Sequence, residues 1–275
     1  MIESDFEERL FLKYLRLLEI HRQSPSFEYL KEIVRAQVSK IPFENISKLL
    51  FKKRLNLKQL IDFELYLDGI EKYKFGGTCY SNNFYFNQLL KWLGFDIKLC
   101  GADMKNTDVH LVNIINNDNR EFLVDTGYAA PFLEPLPLDL LNDYSINSGN
   151  DRYILKPRNN NNRHQIELYR NGELIHGYKV NPRARNINEF RQVIKDSFNE
   201  SSTFMNSLLI TRFDSENFII IHNMTFIESN KFVSKKNSLS SIDQLASVID
   251  NRFGIPREIV LESIQDLQMK SDGWS

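Results

Sequence analysis

The chain has 275 residues, 42% of them apolar, and sets 35 Lys and Arg against 36 Asp and Glu. That length suits two or three packed units, and the even charge gives neither nucleic acid nor a membrane surface an electrostatic footing. Two cysteines, Cys79 and Cys100, do not make a disulfide scaffold, so the expectation is free thiols in a reducing compartment.

The opening stretch, MIESDFEERLFLKYLRLLEI, is too charged for a signal peptide, and no eighteen-residue apolar run spans a bilayer. A cytoplasmic protein is expected. Residues 5 to 21 place Phe6, Leu10, Tyr14, Leu17 and Leu18 on one helical face. Ser26, followed by Glu28 and Glu32, opens a second helix that runs to about Val38 and is stopped by Pro42. IPFENISKLL reads as a turn and a short apolar piece. Residues 57 to 72 read as a third helix with Leu57, Leu60, Ile61, Leu65 and Ile70 inward. In FGGTCYSNNFYFNQLLKWLGF, residues 75 to 95, Phe84, Phe86, Leu89, Leu90 and Leu93 give a helix its apolar face, and Gly94 is placed to end it.

The period then changes. DIKLCGADM, HLVNII and EFLVDTGY are short runs rich in Val, Ile, Leu and Phe, with INNDNREF as a hairpin connection. RYILKP and QIELYRNGELIHGYKV follow, and Asn171-Gly172 marks a tight hairpin because both turn positions need positive φ. This middle third is a curled sheet or small barrel, and RNNNNR at 158 to 163 is a solvated loop. Beyond residue 186, NINEFRQVIKDSF reads as a helix. NSLLITRF, NFIIIHNMTFIES and KFVSKK read as strands of a second sheet. SIDQLASVIDNRFG reads as a helix capped by Ser241 and ended by Gly254.

Three residues invite chemistry. Cys79 heads a helix, where unpaired N–H groups and a partial positive charge favour thiolate over thiol; Gly76 and Gly77 before it permit a tight approach. A buried cysteine acting as a small hydrophobe is the alternative. His110 in TDVHLVNII shares a strand face with Val112 and Ile114, where a structural histidine is the commoner occupant. Asp125 ends EFLVD just before Gly127 and reads either as a turn-former or as a carboxylate aimed at something buried. Together they weigh more: a carboxylate on one imidazole nitrogen fixes the ring, and the other nitrogen can take a thiol proton. His21, His164, His176 and His222 show no metal-ligand spacing, no phosphate-binding glycine loop occurs, and Cys100 reads as core.

IPFENIS at 41 to 47, the Gly-Gly-Thr-Cys segment running into a helix, HLVNII followed by FLVDTGY, and SSTFMNSLLITRF with the late FGI together resemble the arylamine N-acetyltransferases from about residue 10 to 260. The resemblance implies an α+β fold: a helical bundle (1–95) carrying the nucleophile, a β-barrel (96–190) carrying His and Asp, and an α/β lid (191–275), with a cysteine-protease-like active-site arrangement. It implies acetyl-CoA as co-substrate, no metal, and a small arylamine or hydrazine as acceptor. Cys79 would be acylated, His110 would act as base, Asp125 would orient it, and the Cys79 N–H would meet the oxyanion. Phe43, Tyr128 and Phe204 match acceptor-lining aromatic positions, each with core packing as its alternative. The loop Gly101 to Asp108 is a candidate pyrophosphate contact.

Two positions depart from the family pattern: Phe75 stands where a basic residue is usual, and Ala129 where glycine is usual. If position 129 needs positive φ, Ala is strained there. A different acyl-CoA transferase, an amide synthase, a Cys-His-Asp hydrolase and a catalytically silent binding relative are the competing readings.

Overall fold

The structure is a computed structural model that describes residues 2–230 and 234–269. Helix α1 (Ile2–Leu18) is followed by α2 (Phe27–Lys40), where Ser26 accepts the Tyr29 N–H at 3.2 Å and so satisfies one donor of the first turn. A two-residue strand β1 (Phe43–Glu44) leads into α3 (Ile46–Leu55), then α4 (Phe63–Tyr73) and α5 (Cys79–Trp92). Tyr14, Leu18, Leu30, Ile33, Leu67, Phe86, Leu89 and Leu90 fill one core between α1, α2, α4 and α5. Each large apolar side chain buried there contributes on the order of 1.5–3 kcal/mol over leaving it in water.

The region expected as one helix over 57–72 is resolved differently. Leu57, Leu60 and Ile61 lie in an irregular connection, and Asp62 caps α4 by accepting the Leu65 N–H at 2.8 Å. The piece after Phe43 is instead a full helix, α3. Its residues Ile46 to Phe51 are all buried, so it shows no polar stripe from which a helical period could be read.

Strands β2 (Asp96–Asp103), β3 (His110–Asn117), β4 (Arg120–Val124), β5 (Leu136–Pro137), β6 (Tyr144–Ser148), β7 (Asp151–Lys156), β8 (His164–Arg170) and β9 (Glu173–Asn181) form one antiparallel sheet in the order β5-β4-β3-β2-β9-β8-β7-β6. Its strands curl around a shared interior, since Leu123 of β4 and Tyr153 of β7 belong to the same buried cluster as Val112 and Tyr178. No ladder joins β5 to β6 among the described residues, so the sheet is a half-barrel with two edges rather than a closed barrel. The Asn171-Gly172 turn between β8 and β9 has positive φ at both residues, 52° and 86°.

After a 3-10 turn (Ile187–Phe190) come α6 (Arg191–Asp196) and α7 (Thr203–Asn206). Next are β10 (Leu209–Phe213), β11 (Asn217–His222), β12 (Thr225–Asn230) and β13 (Ser234–Ser238), then α8 (Ile242–Phe253) and α9 (Arg257–Ile264). Lys231 to Val233 of the expected KFVSKK strand lie outside the described residues. Ser241 caps α8 and Gly254, at φ 78°, ends it. The second sheet has the order β1-β10-β11-β12-β13, with Phe43 opposite Thr211 and Glu44 opposite Ile210. Strand β1 therefore ties the helical segment to the C-terminal sheet, and α3 shares a buried cluster with α8 and α9. No helix among the described residues is long and apolar enough to cross a membrane.

Candidate active site

Cys79 is the first residue of α5, so its N–H and those of the next residues have no partner within the helix. The loop before it is held by contacts only glycine tolerates. A Cβ on Gly76 would stand 1.8 Å from the Pro42 carbonyl oxygen, and one on Gly77, at φ 140°, would stand 2.1 Å from Ser81 Oγ. Gly77 bridges Phe43, and its carbonyl accepts the Glu44 N–H at 3.0 Å. The buried Glu44 carboxylate accepts from Gly76 N–H (3.1 Å), Ser47 N–H (2.8 Å) and Ser47 Oγ (2.6 Å). Burial raises its pKa despite these donors.

His110 opens β3, and Asp125 lies one residue beyond β4. Ile114 faces Leu123 across the ladder, so the two-residue repeat puts His110, Val112 and Ile114 on the same face as Leu123 and Asp125. The structure brings the two together: His110 Nε2 and Asp125 Oδ2 are 2.7 Å apart and both side chains are buried. Cys79 lies close enough to act electrostatically on the same imidazole. Burial pulls the His110 pKa down, but the Asp125 charge and hydrogen bond, with Cys79 adding to them, outweigh it and lift the value to about 10. Burial alone would raise the Asp125 pKa; the His110 charge and the hydrogen bonds from His110, Asn83 and Tyr178 lower it. The carboxylate and the neighbouring cysteine thus favour the protonated ring over the neutral one.

Residues that the sequence reading did not single out complete the row. Tyr178 donates to Asp125 Oδ2 at 2.7 Å, and Asn83 Nδ2 donates to Oδ1 at 2.8 Å. Asn83 Oδ1 in turn accepts the Thr126 N–H at 2.9 Å. Asn83 lies one turn after Cys79, so a single helix face presents both, and that i, i+4 spacing was the available signal. The Gly127 N–H also donates to Asp125 Oδ1, at 3.0 Å. A Cβ at Gly127 would lie 2.6 Å from Cys79 Cα; the Asp125 turn rests directly on the helix that carries the cysteine. Ala129 has φ 59°, so the strain expected of a non-glycine residue there is present.

The expected aromatic positions divide. Phe43 and Phe204 meet edge to face with centroids 5.5 Å apart, and Asn45 fixes the Phe204 segment by donating to the Phe204 and Ser207 carbonyls. Tyr128 lies elsewhere, buried in the half-barrel 5.8 Å from the His110 ring, its hydroxyl 2.9 Å from His176 Nδ1. In the Gly101 to Asp108 loop the Asp108 N–H is already taken by Asp103 Oδ1, and Arg163 and Arg185 neutralise the two carboxylates. Cys100 is buried, and desolvation pushes its thiol up to about 12.

Phe75 is buried against Phe51 and Tyr73. The cation within electrostatic reach of Cys79 comes instead from α3. Lys48 is buried, donates to Ser197 Oγ at 2.7 Å, and stands 4.3 Å over the Phe198 ring. Phe198 in turn packs in one cluster with Cys79 and Tyr80.

A family model described as N-acetyltransferase matches residues 26–260. The chain is similar to proansamycin X synthase of Amycolatopsis mediterranei (strain S699), 31% identical over 117 residues, which are 40% of this chain and 44% of that protein. It is also similar to a pineal gland arylamine N-acetyltransferase isozyme of Gallus gallus, 28% identical over 129 residues, 43% of this chain and 42% of that one. The chain thus spans less than half the length of these curated relatives. The solved arylamine N-acetyltransferase of Mycobacterium marinum in complex with CoA superposes with a TM-score of 0.78 at 18% identity, over 94% of this chain and 99% of that one.

Proposed function

Because the chain belongs to the N-acetyltransferase family, matched over residues 26–260, we propose that it is an arylamine N-acetyltransferase working through a Cys79 thioester. The observation that carries this reading is the buried His110–Asp125 hydrogen bond, with Cys79 acting on the same ring from the head of α5. Its resemblance to a cysteine-protease arrangement supplies the chemistry: the imidazole takes the thiol proton, Asp125 supports the resulting charge, and a thiolate stands at a helix N-terminus.

In the first half-reaction the thiolate adds to the acetyl carbonyl of acetyl-CoA, and the Cys79 N–H faces the oxyanion. Collapse breaks the bond to the CoA sulfur, which leaves with the proton held by His110. In the second half-reaction an arylamine, hydrazine or N-hydroxyarylamine adds to the Cys79 thioester while neutral His110 removes its proton. Collapse then returns the sulfur as thiolate. The Phe43–Phe204 pair is the aromatic wall for a flat acceptor, and Tyr128 acts from behind the His110 ring. A cleft of about 690 Å³ lined by Lys52, Lys53 and Lys58, with Glu200 and Asp266 also on its wall, reaches Met205 beside the Cys79 cluster. Its lysines fit the phosphates of the donor. The three-part division at 1–95, 96–190 and 191–275 goes with this reading, with β1 and α3 crossing from the first part to the third. So does a reducing, cytoplasmic location.

The test is a two-stage turnover. Protein acylated from a panel of acyl-CoAs is freed of donor and mixed with an arylamine. The reading expects the acetyl enzyme to form and to yield the N-acetyl amine. Turnover of peptides with no CoA effect would favour the hydrolase reading, and no acyl enzyme from any donor would favour a silent binding relative. The likeness to a synthase favours a second reading, an amide synthase on the same scaffold; a larger acyl-CoA outcompeting acetyl-CoA would select it.

A further inference from the structure

Lys48 is a lysine in an unusual position. Its side chain is 8% exposed. No carboxylate lies within ion-pairing distance of it among the described residues; its partners are the Ser197 hydroxyl and the face of Phe198. Burying an ammonium without a counter-charge costs several kcal/mol, and an anion formed nearby in use would offset that cost. Lys48 lines a narrow cavity of about 50 Å³ together with Gly76, Gly77, Thr78, Tyr80 and Ser81, the residues on either side of Cys79. The Phe198 ring that Lys48 covers belongs to the same buried cluster as Cys79.

We propose that Lys48 is a positioning residue for the nucleophile: its ammonium supplies the second positive charge that, with the His110 imidazolium, holds the Cys79 sulfur as a thiolate. This rests on Cys79 being the nucleophile. The basic residue absent at position 75 is thereby replaced from a different helix, through the pocket wall rather than the loop.

The electrostatics of the neighbourhood agree. Burial pushes the Lys48 pKa down to about 7; the Cys79 charge pulls it up, and Lys52 on the same helix pushes it down. From α5 the titratable groups nearby are Cys79 and the Tyr80 hydroxyl, and the latter is under the influence of Asp108 and Asp196. The C-terminal part contributes the neutral Ser197 and Phe198, and its neighbouring Asp196 carboxylate acts on Tyr80 rather than on Lys48. Glu44, four residues earlier, is turned to Ser47 and Gly76. Cys79 is thus the group whose negative charge acts on Lys48. Its support for the thiolate is present while the ammonium is charged and fades as pH rises above about 7.

The experiment is the pH profile of Cys79 alkylation by iodoacetamide in the full chain, followed by peptide mass, with Cys100 as internal control. Lys48→Met, close in size and uncharged, is expected to slow alkylation at pH 6 about tenfold, the effect of one pKa unit at the sulfur. Lys48→Arg, charged at every pH, is expected to restore the rate at pH 6 and to extend the fast plateau above pH 7. Lys48→Gln provides the same neutral comparison if the Met variant fails to accumulate. Neutral variants that keep the wild-type profile would overturn the proposal while leaving Cys79 a nucleophile. A wild-type Cys79 that alkylates no faster than an ordinary thiol would overturn the active-site reading itself.

Discussion

Gly127→Ala tests the geometric foundation of the site. The added methyl carbon would stand 2.6 Å from Cys79 Cα, 2.7 Å from Asn83 Nδ2 and 3.1 Å from Cys79 Cβ. Non-bonded carbons settle at roughly 3.5–4.0 Å, so the Asp125 turn and the start of α5 must part by about 1 Å. Asn83 cannot swing clear, because Nδ2 holds Asp125 Oδ1 and Leu111 O while Oδ1 holds the Thr126 N–H. Overpacking of this kind costs about 1–3 kcal/mol, and a displacement near 1 Å between reacting groups costs about 100-fold in rate. Single-turnover acetylation of Cys79, read beside a thermal melt, should show a loss of about 100-fold with a lowering of a few degrees. Acetylation within twofold of wild type, at an unchanged melting temperature, would mean that the turn does not set the alignment.

Asp125→Asn keeps the shape but removes the charge that holds His110 at about 10 against the pull of burial. Acetylation should fall roughly 10³–10⁴-fold, as expected when an imidazole loses its orienting carboxylate. His110 has a raised folded-state pKa, so its stabilisation is complete below its ordinary value of 6.5 and is lost as pH rises through about 10. Urea unfolding should therefore show a gap between wild type and variant that narrows from pH 6 to pH 10. Ala129→Gly relieves the φ of 59° and should stabilise the protein by up to about 1 kcal/mol, the left-handed strain less the entropy glycine adds to the unfolded chain; a urea midpoint that does not rise would contradict this.

Much of the site was legible because its signals are local. Ser26 and Ser241 act on the backbone three residues on, and Gly254 and Asn171-Gly172 through their own backbone; each does in the structure what its chemistry suggests. Cys79 at a helix start, His110 on one strand and Asp125 just past the end of the next follow from period and spacing. What escaped notice depends on tertiary surroundings. The first six residues of α3 are all buried, so Lys48 sits in a run with no face to read. Leu57, Leu60 and Ile61 have helical spacing, yet they pack between clusters from an irregular segment while Asp62 starts the helix later. Strand β6 is polar and half-exposed at the sheet edge, with no apolar alternation to mark it. Tyr178 reaches Asp125 across 53 residues, a distance no local pattern spans.

The most direct test of the acyl-enzyme claim is the intact mass of the protein after brief exposure to acetyl-CoA. Wild type should gain the mass of one acetyl group, located on Cys79 by peptide mapping, and Cys79→Ala should gain none although Cys100 remains. An unmodified wild-type protein, or an acetyl group that persists in Cys79→Ala, would contradict the account.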